Sequence, residues 1–305
     1  MELSTTAVLT LDQLAHWSSP GPALAVLGHP IKHSISPAMH NAALAELARR
    51  DKKFLPWKYF RFDVPPEQLP QALPRLHAAG FHGLNLTVPH KILALDLVQE
   101  IDPAAQRIGA VNTLHRTATG WRGYNTDGHG LASALLSELQ APLSAAHVIL
   151  LGAGGAARGA AVECLQQGCA SLWIGNRTRA NLDALLTLLR PLAGPIPIHG
   201  FDPANPPANL PGPAILINAT SAGLKSTDPT PIDLRPLPAG LKVFDMIYNP
   251  PQTPLLRQAA ELGLAHANGL AMLVHQGARS LEIWTGQPAP VSLMQAAAEQ
   301  ALATH

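Results

Sequence analysis

The stretch His147-Val148-Ile149-Leu150-Leu151-Gly152-Ala153-Gly154-Gly155-Ala156-Ala157 runs an apolar strand into a glycine turn and then an alanine-rich helix. The spacing Gly152-x-Gly154-x-x-Ala157 matches the dinucleotide fingerprint in the context it requires, with a strand before and a helix after. In such a turn the first glycine permits the tight bend and the second lets a pyrophosphate reach backbone amides at the helix N-terminus. The small third position allows close helix packing. Gly152, Ala153, Gly154, Gly155 and Ala156 are therefore the candidate cofactor cradle. The next strand, residues 171–175, ends at Asn176-Arg177-Thr178-Arg179, where an NAD site usually carries an acid for the ribose 2′-hydroxyl. Two guanidiniums and a hydroxyl suit a 2′-phosphate, so these residues point to NADP. The competing reading makes Arg177 and Arg179 ordinary solvated loop residues.

Working outward, short apolar strands at 214–218 and 242–246 alternate with proline-rich loops, and helix signals cover 255–262, 270–284 and 292–304. Upstream lies another alternating series: strand 23–27, helix 37–50, strand 57–64, helix 66–79 and strand 81–88. Residues 110–115 and 121–124 resemble a hairpin around Thr119-Gly120. Such series imply parallel sheets covered by helices. The expected fold is α/β in two domains, an N-terminal substrate domain with a mostly parallel sheet and a Rossmann-like NADP-binding domain, with a cleft between them. The expected boundaries are a loosely docked extension at 1–21, a substrate domain from 22–127 plus 270–305, and an NADP domain at 128–269.

Composition narrows the partners. A chain of 305 residues exceeds the usual single-domain size. Only 13% of residues are charged, the net charge is +1, and no basic block marks a nucleic-acid or membrane surface. A small-molecule partner is expected. Glu2 and Asp12 fall where a signal peptide would be basic, and no apolar run is long enough to span a bilayer. Cys164 and Cys169, five apart, fit neither a zinc pair nor a redox pair and are read as reduced packing residues of a cytoplasmic protein. His29, His33 and His40 bracket Pro30 and Pro37 and lack metal-helix spacing, so no metal is expected. Monomer and homodimer both remain open.

The substrate side begins at Asn85-Leu86-Thr87-Val88-Pro89-His90-Lys91. Pro89 cannot donate to a sheet ladder, so the strand must stop there, leaving Asn85, Thr87 and Lys91 to gather at its carboxyl end, where α/β domains bind ligands. Ser34 and Ser36 precede Pro37 at a helix start, a place for a structural cap and also for a carboxylate. Asn112 and Asp127 sit at two further strand or hairpin ends, either of which could be a turn alone.

These motifs, in this order, resemble the shikimate dehydrogenase family. The resemblance is carried by the serine motif at 28–41, the run from Asn85 to Lys91, Gly109-Ala110-Val111-Asn112-Thr113, Asn125-Thr126-Asp127-Gly128, the glycine turn and Asn176-Arg177-Thr178. It continues through Asp245-Met246-Ile247-Tyr248-Asn249-Pro250 and Met272-Leu273-Val274-His275-Gln276, so that about residues 22–290 are covered. It implies NADPH-dependent, reversible reduction of 3-dehydroshikimate to shikimate, a step of chorismate and aromatic amino-acid biosynthesis. It further implies Lys91 as general acid/base with Asp127 as partner, and Ser34 and Ser36 on the substrate carboxylate. Thr87, Asn112, Tyr248 and Gln276 would contact the ring hydroxyls or the reacting centre, and Met246 and Gly269 would join the cofactor side. One departure is Asn181, where the family often has an arginine. Alternatives are a quinate/shikimate dehydrogenase using NAD, against which Ser36 leans by lacking a methyl, and a non-catalytic NADP or shikimate sensor. A methylene-folate dehydrogenase would carry a different lysine motif.

Overall fold

The computed structural model describes residues 4–225 and 227–304. The chain folds as two compact α/β units, one made of the chain up to Thr126 together with the segment from Gln276 onward, the other of Asp127–His275. The changeovers thus fall at 126/127 and 275/276, against the expected 127/128 and 269/270.

The first unit is built on a seven-stranded sheet of β1 (Val8–Leu9), β2 (Ala23–Gly28), β3 (Lys58–Asp63), β4 (Phe81–Leu86), β5 (Glu100–Ile101), β6 (Thr113–Arg116) and β7 (Trp121–Tyr124). Their order across the sheet is β1-β3-β2-β4-β6-β7-β5. All six residues of β2 are buried, as expected for a parallel strand covered on both faces. Helices α1 (Ser36–Arg50) and α2 (Leu69–Ala78) make the crossovers that keep β2, β3 and β4 parallel. Their carboxyl ends, Gly28, Asp63 and Leu86, therefore lie along one edge. The hairpin β6–β7 pairs antiparallel, with β6 against β4. Short helices α3 (His90–Leu93) and α4 (Pro103–Ile108) follow β4 and β5.

The expected loosely docked extension is corrected by the structure. Val8 and Leu9 pair in parallel with Arg61 and Phe62 of β3, and Leu9 and Leu11 belong to the buried core. Trp17 stacks on Phe81 at 4.6 Å, and Arg75 donates to the Leu11 carbonyl at 2.8 Å. Between these contacts Leu11–His16 form a 3₁₀ helix, with Leu11 in the core and Leu14 packed against it.

In the second unit six strands are all parallel: β8 (His147–Leu151), β9 (Ser171–Gly175), β10 (Ile198–Phe201), β11 (Ile215–Asn218), β12 (Lys242–Asp245) and β13 (Ala265–Ala267). Their order, β10-β9-β8-β11-β12-β13, reverses direction between β8 and β11, the position where doubly wound folds bind dinucleotides. Helix α5 (Asp127–Leu139) precedes β8, helices α6 (Gly155–Gln166), α7 (Arg179–Ala193) and α8 (Pro254–Glu261) follow β8, β9 and β12, and α9 (Leu270–Thr285) and α10 (Val291–Ala303) complete the chain. Lys242 Nζ donates to the Leu139 carbonyl at 2.8 Å, satisfying a helix-end acceptor of α5. Cys164 and Cys169 are free and buried, and burial pushes both thiols up, Cys169 to about 11. Among the described residues no helix is long and apolar enough to cross a membrane.

Candidate active site

In the second unit the glycine turn has the geometry its residues require. Gly152 has φ +113°, its N–H donates to the Gly175 carbonyl at 2.8 Å, and a Cβ would sit 3.0 Å from the Ala219 carbonyl. A side chain there would be strained by both conformation and contact. Gly154 precedes the first turn of α6, and a Cβ on Gly154 or Gly155 would meet nothing within 4 Å. That open space above helix N–H groups fits a pyrophosphate. A cavity of about 480 Å³ is lined by Gly152, Ala153, Gly154, Asn176, Arg177 and Thr178, with Asn181 also on its wall.

Arg179 does not line this cavity. It opens α7, its Nε donates to both carboxylate oxygens of Asp183 at 3.0 and 2.9 Å, and it borders a separate cavity with Trp173 and His199. Ala156 is exposed and also lies off the cavity wall.

Met246 and Gly269 are brought together after β12. The Gly269 N–H donates to the Ile247 carbonyl at 3.1 Å, and a Cβ on Gly269 would collide with the Met246 carbonyl. The loop that carries Met246 and Tyr248 is tied down by Asp245, whose buried carboxylate accepts from Asn218 Nδ2 at 3.0 Å, the Ile247 N–H at 3.1 Å and the Thr253 hydroxyl at 2.6 Å. Burial pushes the Asp245 carboxyl up while these donors pull against it. Burial also raises the Tyr248 phenol. Asp127, half-buried, is the first residue of α5.

In the first unit Ser34 and Ser36 lie at the start of α1. Arg61 Nη1 donates to the carbonyls of Lys32 and Ser34, at 2.8 and 3.1 Å, which holds the preceding turn. Ser36 is itself the first helical residue and Ile35 holds the cap position, so Ser36 is not the cap its place before Pro37 suggested; the Ser36 N–H donates to Ser34 Oγ at 3.4 Å. Asn41, further along α1, brackets the backbone of Tyr59 with two 2.9 Å bonds, and the His40 ring stacks on the Tyr59 ring at 4.2 Å.

Lys91 is anchored through its main chain. The Thr87 N–H donates to the Leu27 carbonyl at 3.0 Å, and the Thr87 carbonyl accepts from the His90 N–H at 2.8 Å. The buried His90 ring reaches the Val64 carbonyl with Nε2 at 2.8 Å, which makes Nε2 the protonated nitrogen. The Lys91 carbonyl accepts from the Val111 N–H at 2.8 Å. One residue on, Asn112 takes the Thr126 N–H on its Oδ1 at 2.9 Å and points Nδ2 at Gln276 Oε1, 3.3 Å away. The supporting residues Tyr59, Thr113, Thr126, Ser280 and Asp245 were not singled out from sequence; Thr113, Thr126 and Asp245 had a signal, their place in quoted motifs at strand ends, and Tyr59 and Ser280 had none.

A sheet with the dinucleotide strand order and a glycine cradle at its reversal point, joined in one chain to a second α/β unit with a lysine at a strand end, defines a two-domain protein of the dinucleotide-binding class. The family model described as the shikimate dehydrogenase substrate binding domain matches residues 26–114, and the shikimate 5′-dehydrogenase C-terminal domain matches residues 269–299. The chain is 40% identical over 287 residues to shikimate dehydrogenase (NADP(+)) of Symbiobacterium thermophilum, covering 93% of this chain and 95% of that protein. It belongs to the shikimate dehydrogenase family. Among solved structures it is similar to shikimate 5-dehydrogenase from Thermus thermophilus in complex with NADP(H) and shikimate. That match has a TM-score of 0.80 and 36% identity over 92% of this chain and 99% of the other. It is also similar to quinate dehydrogenase from Corynebacterium glutamicum in complex with NAD, with a TM-score of 0.80 and 28% identity over 92% and 99% of the two chains.

Proposed function

We propose that the chain catalyses the reversible, NADPH-dependent reduction of 3-dehydroshikimate to shikimate, in the cytoplasm, as a step of aromatic amino-acid biosynthesis. The observation that carries this reading is the presence, within a shikimate dehydrogenase family chain, of the Gly152 turn and its Arg177-lined cavity in one unit and of Ser34 and Ser36 at the start of α1 and Lys91 just after β4 in the other. The free, buried thiols agree with a reducing compartment.

Bound NADPH would supply the hydride. Gly152 to Ala156 would hold its pyrophosphate, Asn176, Arg177 and Thr178 its ribose phosphate, and Met246 and Gly269 its nicotinamide side. Arg179, engaged by Asp183, would add charge at a distance rather than a direct clamp.

As the carbonyl carbon is reduced, negative charge develops on its oxygen, and Lys91 Nζ donates the proton that quenches it. In the oxidising direction neutral Lys91 accepts the hydroxyl proton, with Asp127 orienting that hydroxyl. Ser34 and Ser36 would bind the carboxylate, remote from the reacting carbon. Thr87, Asn112, Tyr248 and Gln276 would read the ring hydroxyls.

Initial rates with shikimate and with quinate, each with NADP and with NAD, test the reading. The expected ranking by kcat/KM places shikimate with NADP first. Quinate with NAD ranking first, or no turnover of either substrate, would overturn it.

A further inference from the structure

Several polar side chains of the first unit meet where solvent does not reach. Asn112, Thr113 and Ser280 are each at most 1% exposed, and Thr126 and Asn85 are buried beside them. Asn85 Nδ2 faces the Asn112 carbonyl at 3.2 Å, an acceptor only, which turns Asn85 Oδ1 toward the Tyr59 hydroxyl at 2.7 Å. The same Nδ2 lies 3.1 Å from Thr113 Oγ1 and 3.0 Å from Ser280 Oγ.

Ser280 is the hub of this network. With the Thr113 proton directed to Asn112, the single Ser280 hydroxyl proton goes to Thr113 Oγ1 at 2.7 Å, and the same oxygen lies 3.0 Å from the Gln276 carbonyl one helical turn back. Thr113 Oγ1 in turn donates to Asn112 Oδ1 at 3.0 Å. With Oδ1 held by a main-chain N–H from Thr126 and by Thr113, Asn112 has one amide orientation, and its Nδ2 is directed toward Thr126 Oγ1 and Gln276 Oε1. Buried networks with every member satisfied are rigid, because any alternative orientation leaves a polar group unpaired in low dielectric.

We propose that Ser280 and Thr113 are positioning residues that hold Asn112 and Gln276 in the arrangement that binds substrate hydroxyls. This rests on the assignment of Asn112 and Gln276 as substrate contacts made above. Held in this way, Asn112 acts on a ligand through Nδ2, exchanging its longer 3.3 Å contact with Gln276 Oε1 for a hydroxyl oxygen while the bond to Thr126 Oγ1 keeps the amide in place. Neither positioning residue touches substrate; both act through the amides.

The test uses the full chain with Ser280→Ala and, as an isosteric second probe, Thr113→Val. For each variant we expect the KM for shikimate to rise about three- to tenfold, the loss of roughly one buried hydrogen bond. The kcat and the KM for NADP should stay close to wild type. In an Asn112→Ala or Gln276→Ala background, Ser280→Ala should raise the KM little further, since the group it positions is gone. A lowered Tm with an unchanged shikimate KM, or the same fold-change in both backgrounds, would overturn the proposal. Failure of the wild-type chain to turn over shikimate would instead overturn the function on which it rests.

Discussion

Thr253 donates its hydroxyl proton to the Asp245 carboxylate across 2.6 Å, and the same oxygen accepts the Leu256 N–H that opens α8. One side chain thus satisfies a buried acid and caps a helix. Thr253→Val keeps the shape and removes both bonds, so it should destabilise the protein by about 2–3 kcal/mol, whereas Thr253→Ser should retain most of the stability. The Asp245 carboxyl is already raised by burial, so its share of stability is present at low pH and lost as pH rises through its folded value. Loss of the Thr253 donor raises it further. Urea unfolding of Thr253→Val should therefore show a larger deficit at pH 7.5 than at pH 5; the reverse trend would contradict the assignment.

Lys91→Ala should lower kcat by ~10²–10⁴-fold, the usual range for a lost general acid/base, with shikimate binding partly retained. Steady-state rates and equilibrium titration separate the two effects. Near-normal turnover would remove Lys91 from the mechanism.

The two arginines after β9 should part company. Arg177 lines the glycine-loop cavity while Arg179 is held by Asp183, and both members of that ion pair are exposed. Arg177→Ala is expected to weaken binding of NADP relative to NAD by about tenfold or more, as for a lost charge-assisted hydrogen bond, and Arg179→Ala by much less. Calorimetric titration with both dinucleotides reads this directly. Equal losses for the two variants would place both guanidiniums on the phosphate.

His40 is fully buried with both ring nitrogens lacking a hydrogen-bond partner, and burial pushes its pKa down to about 3 from 6.5. Between those values the unfolded chain binds a proton that the folded chain refuses. Stability contributed by this group is therefore present above pH 6.5 and falls as pH drops toward 3, by about 1.4 kcal/mol per pH unit. His40→Phe keeps a ring against Tyr59 and should flatten the acid side of the stability profile by that one proton. Identical slopes for the two proteins between pH 7.5 and 5 would show that His40 is protonated in the fold.

The alternating β-α-β-α-β series was readable because β2, covered on both faces, is a nearly uninterrupted apolar run and β4 carries Phe81, Leu84 and Leu86 up to the break at Pro89. The glycine turn was readable because its chemistry is local. By contrast, β1 and β5 are pairs of residues at sheet edges, too short to show a period. The strand β10 follows Pro195 and Pro197 at another edge, and α7 carries Pro191 inside it, so neither stands out in the sequence. At the site, strand ends were marked by proline and glycine, which brought out Thr87, Lys91 and Asn112. Ser280 was not: it meets Asn85 across 195 positions, and a serine inside a helix carries no sign of its partner. The Arg179–Asp183 pair, by contrast, carries its signal in the sequence as i,i+4 helical spacing.

The main chain around Lys91 is fastened on two sides, by its own carbonyl to Val111 and by the His90 ring to Val64. In the role proposed for Lys91, a substrate would have only the torsions of the lysine side chain to bring into line, since the backbone has already given up its freedom during folding. The ordering entropy of the proposed proton transfer would in this way be largely separated from the act of binding, and a mutation that loosens His90 would return part of it to every cycle.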